Sequence, residues 1–161
     1  MKRLFISEML LISRKEKKAK RVIFDGRRTV ILGKNNTGKS SLIKSIYWAL
    51  GAEPSLHPNF KGAQVSVLLK FIVDDIKYEI LREGKRISLF DGFTNEIIKT
   101  FSSITKELAP YLAEIFAFKP VFQTKDNQFV IPHQLFYFYH IMLIRMRVGK
   151  RAGTHLINYS I

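Results

Sequence analysis

The feature that most constrains this chain is the string Gly33-Lys34-Asn35-Asn36-Thr37-Gly38-Lys39-Ser40, set between two runs of opposite periodicity. Before it, Thr29-Val30-Ile31-Leu32 is β-branched and unbroken in its apolar character, which predicts a buried parallel strand. After it, Leu42, Ile43, Ile46 and Leu50 recur at helical spacing, predicting a helix from Lys39 to Leu50 with Gly51 placed to end it. Strand, glycine loop and helix in that order are the setting a phosphate-binding loop requires. A chance match to Gly-x-x-x-x-Gly-Lys-Ser in a chain of this length is on the order of one percent.

The residue types follow from the chemistry of holding a polyphosphate. Backbone amides must point inward around the anion, and side chains at Gly33 and Gly38 would obstruct that path. The helix that follows directs its N-terminal amides and positive dipole end at the same place. Lys39 is the candidate catalytic residue, reaching the β- and γ-phosphates, and Ser40 is the candidate Mg²⁺ ligand. The candidate nucleotide contacts are Gly33, Lys34, Asn35, Asn36, Thr37, Gly38, Lys39, Ser40 and Ser41, with ATP and Mg²⁺ as the expected ligands.

Elsewhere the chain reads mostly as strands. Leu4–Ile12 and Lys20–Phe24 have strand length and flank Arg14-Lys15-Glu16-Lys17-Lys18, a basic hairpin tip. Residues 64–90 alternate as a meander that turns at Asp74-Asp75. A second helix is expected from Ser103 to Phe118, with Pro110 limiting its regularity. The expected fold class is therefore α/β, a loop-bearing strand and helix beside an antiparallel meander.

Formal charge is +14, which favours polyanionic partners and makes DNA the expected macromolecular one; a solvated basic surface is the alternative. The chain has no cysteine, so disulfides and thiolate metal sites are excluded, and a cytoplasmic address is expected. His57, His133, His140 and His155 lack metal-ligand spacing. The aromatic run from Phe129 to Ile144 carries polar breaks and is shorter than the roughly 20 residues of a membrane span, so no membrane segment is expected. The aromatics Phe136, Tyr137, Phe138 and Tyr139 read as buried packing rather than base stacking.

Residues 30–51 resemble the heads of the SMC-like branch of the ABC ATPases, the group that includes SbcC and RecF. Those heads typically carry Gly-x-Asn-Gly-x-Gly-Lys-Ser followed by a helix ending in an alanine-leucine-glycine-like sequence. Asn35 matches their asparagine and Ala49-Leu50-Gly51 their helix end, while Asn36 replaces the usual middle glycine. Two strands before the loop and a meander after it, with a basic residue, Arg82, on the returning strand, extend the likeness over about residues 3 to 118.

The resemblance implies a P-loop NTPase fold, with residues 1–128 as the N-terminal lobe of an ABC-type ATPase head. It implies ATP hydrolysis coupled to DNA maintenance, repair or defence, carried out by two heads, a homodimer in the complete protein, each completed by a C-terminal lobe. The leucine-serine-glycine-glycine signature, the switch histidine and a Walker B strand are missing from this sequence. Asp74-Asp75 is the nearest imitation of a Walker B, and the alternation on both sides favours a hairpin turn. Gln123, Gln128 and Gln134 are the candidates for the Mg²⁺-side glutamine. A GTPase base reader fails at Thr124-Lys125-Asp126-Asn127, where asparagine takes the aspartate position. A nucleotide-binding regulatory module or degenerate remnant without turnover is the competing expectation.

Residues 129–161 form an atypical tail, with four basic residues and no acidic one after Ile141. Read one base out of frame, Leu143 to Gly149 can give Asp-Gln-Asp-Glu-Gly-Trp, which would suit a Mg²⁺-side loop. A frameshifted or truncated reading of a longer gene is the expectation this raises; degenerate codons, which spell many strings, leave the alternative open.

Overall fold

The computed structural model describes residues 2–26, 29–35, 37–118, 122–123, 127, 129–130 and 155–158. Its centre is a six-stranded antiparallel sheet. The strands are β1 (Leu4–Ser13), β2 (Lys18–Ile23), β4 (Val65–Val73), β5 (Ile76–Glu83), β6 (Arg86–Asp91) and β7 (Ile97–Phe101). The spatial order is β2-β1-β4-β5-β6-β7. β3 (Thr29–Leu32) stands apart and pairs in parallel with β10 (His155–Asn158). The helices are α1 (Lys39–Ala49), the short α2 (Pro58–Gly62) and α3 (Ala109–Ile115), the last preceded by a π-helical turn at Ile104–Leu108. A two-residue pair, β8 (Phe122–Gln123) and β9 (Phe129–Val130), completes the described elements.

Strand alternation sorts the central sheet into an inner and an outer face. Rows of cross-strand neighbours run across the inner face: Val22, Met9, Leu69, Ile80 and Leu89 form one, and Leu11, Val67, Arg82, Ile87 and Phe101 another. Helix α1 covers this face over β4 and β5, burying Leu42, Ile46 and Ala49, and Leu108, Leu112 and Phe116 join the same core. The apolar spacing that predicts α1 is thus the stripe that packs.

The ends of α1 are set locally. Gly51 adopts φ 97°, and the amides of Gly51 and Ala52 donate to the carbonyls of Trp48 at 3.0 Å and Tyr47 at 2.9 Å. This is a Schellman ending, which a left-handed glycine makes accessible without strain.

The second helix starts where expected, with the Ser103 hydroxyl accepting from the Lys106 amide, and is irregular as Pro110 requires. Proline lacks an amide and its ring crowds the carbonyl four residues back, so the turn before it widens to i→i−5 bonds, Leu108 amide to Ser103 carbonyl at 3.1 Å.

Asp74 and Asp75 have φ of 45° and 72° and form the β4–β5 turn, both left-handed as a two-residue hairpin needs. The Asp74 carboxylate accepts from the Arg3 amide at 2.8 Å, so it ties the start of β1 to the turn. β3 departs from expectation in burial. It pairs in parallel, but its residues are half-buried and Leu32 is 43% exposed. An apolar run fixes the preference for burial, whereas coverage depends on what packs against it.

Candidate functional site

The loop begins at the end of β3. Ahead of that strand the Asp25 amide donates to the Thr29 hydroxyl at 2.9 Å, which shapes the approach. Within the loop, the Thr37 hydroxyl donates to the Lys34 carbonyl at 2.8 Å and closes a short ring. Gly38 then takes φ 86° and ψ 10°, a left-handed geometry that disfavours any residue with a Cβ. Its carbonyl accepts the first helical bond, from the Leu42 amide at 2.9 Å. The amides of Lys39, Ser40 and Ser41 precede that bond, so helix geometry gives them no partner within α1.

Three features make this end of α1 suited to an anion. No side chain caps it, its first turn contains no acidic residue, and the helix is 11 residues long, enough to carry a dipole. The Lys39 ammonium curls back across the loop and donates to the carbonyls of Gly33, at 2.6 Å, and Lys34. Positive charge is therefore held against the loop backbone. Ser40 is exposed on the same turn; Ser41 is half-buried and its carbonyl accepts from the Ser45 hydroxyl at 2.7 Å. Lys34 and Asn35 are exposed on the loop, and Asn36 lies outside the described residues.

The other expectations divide. Gln123 falls in β8, whereas Gln128, Gln134 and the one-base-shifted segment from Leu143 to Gly149 lie outside the described residues, as do the aromatics Phe136 to Tyr139. His57 is the N-cap of α2, its Nδ1 accepting from the Asn59 amide at 3.3 Å. Among the described residues no group of three or more His, Cys, Asp or Glu is placed to hold a metal, and no helix is long and apolar enough to cross a membrane.

The basic hairpin tip is partly tied into the fold. Lys15 donates to the Gly62 carbonyl at 3.0 Å, and Arg14 pairs with Glu83 at 3.5 Å, an exposed contact worth little by itself. Register brings Lys85 of the β5–β6 turn and Arg86 at the start of β6 to the same end of the sheet as Arg14, Lys15, Lys17 and Lys18. A concavity of about 390 Å³ lies on the outer sheet face among Leu10, Leu68, Leu81 and Phe90, and none of residues 33–41 lines it.

Sequence reasoning noted Arg82 only as a basic residue on a returning strand. In the structure it is 3% exposed and reaches the C-terminal end of α1. Burial pushes its pKa down, and its hydrogen bond and charge pairing with Glu53 oppose that. The available signal was its place in the alternation Tyr78, Ile80, Arg82, which points it inward.

No family model matches the chain. It is similar to the Lamassu protein LmuB of Bacillus cereus (strain VD014), with 33% identity over 137 residues, which is 84% of this chain and 24% of that protein. The chain thus spans about a quarter of the length of the curated relative it matches. This distant homology agrees with the SMC-like resemblance carried by the loop and its helix.

Proposed function

We propose that this chain is the ATP-binding lobe of an SMC-like ATPase with a P-loop NTPase fold. The observation that carries the reading is the Lys39 ammonium held across the loop beside a left-handed Gly38 at an uncapped helix N-terminus. Mg²⁺ supplies charge neutralisation of the phosphates when bound, and the Ser40 hydroxyl, exposed on the first turn, would ligate it. The residues fit such a ligand: the first amides of α1 have no partner in the helix, Lys39 folds over the loop, and no carboxylate stands in the first turn.

Hydrolysis belongs to a complete head and a second copy of it, because an oriented water and charge stabilisation at the γ-phosphate need more than the loop. Asp74, the nearest carboxylate to a Walker B in sequence, is engaged in a hairpin turn. In the full-length protein we assign ATP turnover coupled to handling DNA, and the similarity to a Lamassu protein favours defence over maintenance or repair.

Calorimetry tests the reading: Mg-ATP should bind this 161-residue chain, while steady-state phosphate release stays far below the roughly 1–10³ s⁻¹ typical of enzymes. No binding sinks the proposal, and lysine-dependent turnover in that range shows that a catalytic carboxylate is present here.

For DNA, the +14 charge and the cations at the β1–β2 end of the sheet support weak, sequence-independent association. Fluorescence anisotropy with a short duplex should show affinity falling steeply between about 0.05 and 0.5 M salt as counterion release is lost. Binding that persists at high salt, or none at low salt, counts against phosphate attraction.

A further inference from the structure

We infer that Arg82 is a positioning residue for the glycine loop: it clamps the C-terminal end of α1 and so fixes where Gly38, Lys39 and Ser40 lie at the other end. The inference rests on the nucleotide-loop reading and names the residue that holds that loop in place.

Every nitrogen of the guanidinium has a partner. Nη1 donates to the carbonyls of Trp48 and, at 3.3 Å, Ala52; Nη2 donates to the Glu53 carboxylate; Nε donates to the Gly84 carbonyl at 3.2 Å. The guanidinium carbon also sits 4.4 Å from the centroid of the Trp48 ring. Trp48 and Ala52 bracket the Schellman ending, so the cation faces the negative end of the helix dipole. Arg82 lies on β5, the strand between β4 and β6, in an otherwise apolar row of the inner face.

Stability alone does not account for an arginine in that row. A well-packed apolar residue is commonly as stabilising as a buried ion pair, whereas a planar fork of donors specifies direction. A fixed direction matters because α1 is a rigid lever of about 16 Å, so a tilt of about 4° displaces its N-terminus by about 1 Å. A misplacement of about 1 Å far from the chemistry is enough to lose a large factor in function.

The test is amide hydrogen exchange on the full chain, comparing the parent with Arg82→Met, with and without Mg-ATP. Exchange over residues 42–46, whose amides bond within α1, should accelerate about tenfold while residues 66–73 of β4 stay unchanged, as local opening does. Protection of the loop by Mg-ATP should need about tenfold more nucleotide in the variant. Emission from Trp48, the single tryptophan of the chain, should shift when the stacked cation is removed. Unchanged exchange over residues 42–46 overturns the inference.

If β4 accelerates equally, Arg82→Met has loosened the whole domain, and Glu53→Ala, which removes the acceptor of Nη2, decides instead, since that side chain is 68% exposed. Faster exchange over residues 42–46 in Glu53→Ala supports the clamp, and no change overturns it. Absence of Mg-ATP protection in the parent sinks the nucleotide reading alone. The exchange difference between parent and variant still decides whether Arg82 holds the loop.

Discussion

Replacing Lys39 with alanine should weaken Mg-ATP binding by about a hundredfold or more. The ammonium is held against the loop backbone, 2.6 Å from the Gly33 carbonyl. Hydrogen bonds to a charged group are worth about 1.5–3 kcal/mol each, and two such bonds to phosphate oxygens give roughly 3–6 kcal/mol. Every 1.4 kcal/mol is about tenfold in affinity, which sets the hundredfold floor. The substitution also frees the loop carbonyls, but the Thr37 hydroxyl bond to Lys34 and the left-handed Gly38 remain to keep the loop's shape. Calorimetry on the two proteins, with thermal unfolding as the check on integrity, reads the effect. Equal affinity in a folded Lys39→Ala variant removes the assignment of this loop to a triphosphate.

A large loss of stability is expected at Phe71. Its ring is 1% exposed on the inner face, stacked on Tyr78 at 5.5 Å between centroids and tilted against Phe116 at 5.8 Å. It therefore joins β4, β5 and the end of α3 at one point. Truncation to alanine removes the buried ring and leaves a cavity that the surrounding strands cannot close, costing about 3–5 kcal/mol. Since a domain of this kind holds roughly 5–15 kcal/mol in all, the variant should melt on the order of 10 °C lower. Phe93, 85% exposed, is the control: its alanine variant should stay within about 0.5 kcal/mol of the parent. Equal effects at the two positions would mean that Phe71 does not carry the core contacts assigned to it.

Parts of this molecule were legible because they are decided within a few residues. The left-handed Gly38, the Schellman ending at Gly51 and the left-handed pair Asp74-Asp75 each answer a local steric demand. The irregular second helix is of the same kind, since Pro110 disturbs only its own turn. Alternation along β4 and β5 likewise announced an inner and an outer face, because side chains alternate with a period of two.

What the sequence by itself determined is thus the loop, the helix it opens and the two-faced strands. Tertiary structure alone decided which strands not joined by a hairpin became neighbours and what the inward-facing residues touch. β1 lies beside β4, with the loop and α1 between them in the chain, and β3 pairs with β10 from the far end of the sequence. Neither pairing has a local signature, because a strand's edge accepts any partner whose hydrogen bonds and apolar rows align. Arg82 shows the same limit. A cation in an alternating strand looks alike whether it meets solvent or a helix end, and only the packing of α1 over β5 turned it into a clamp.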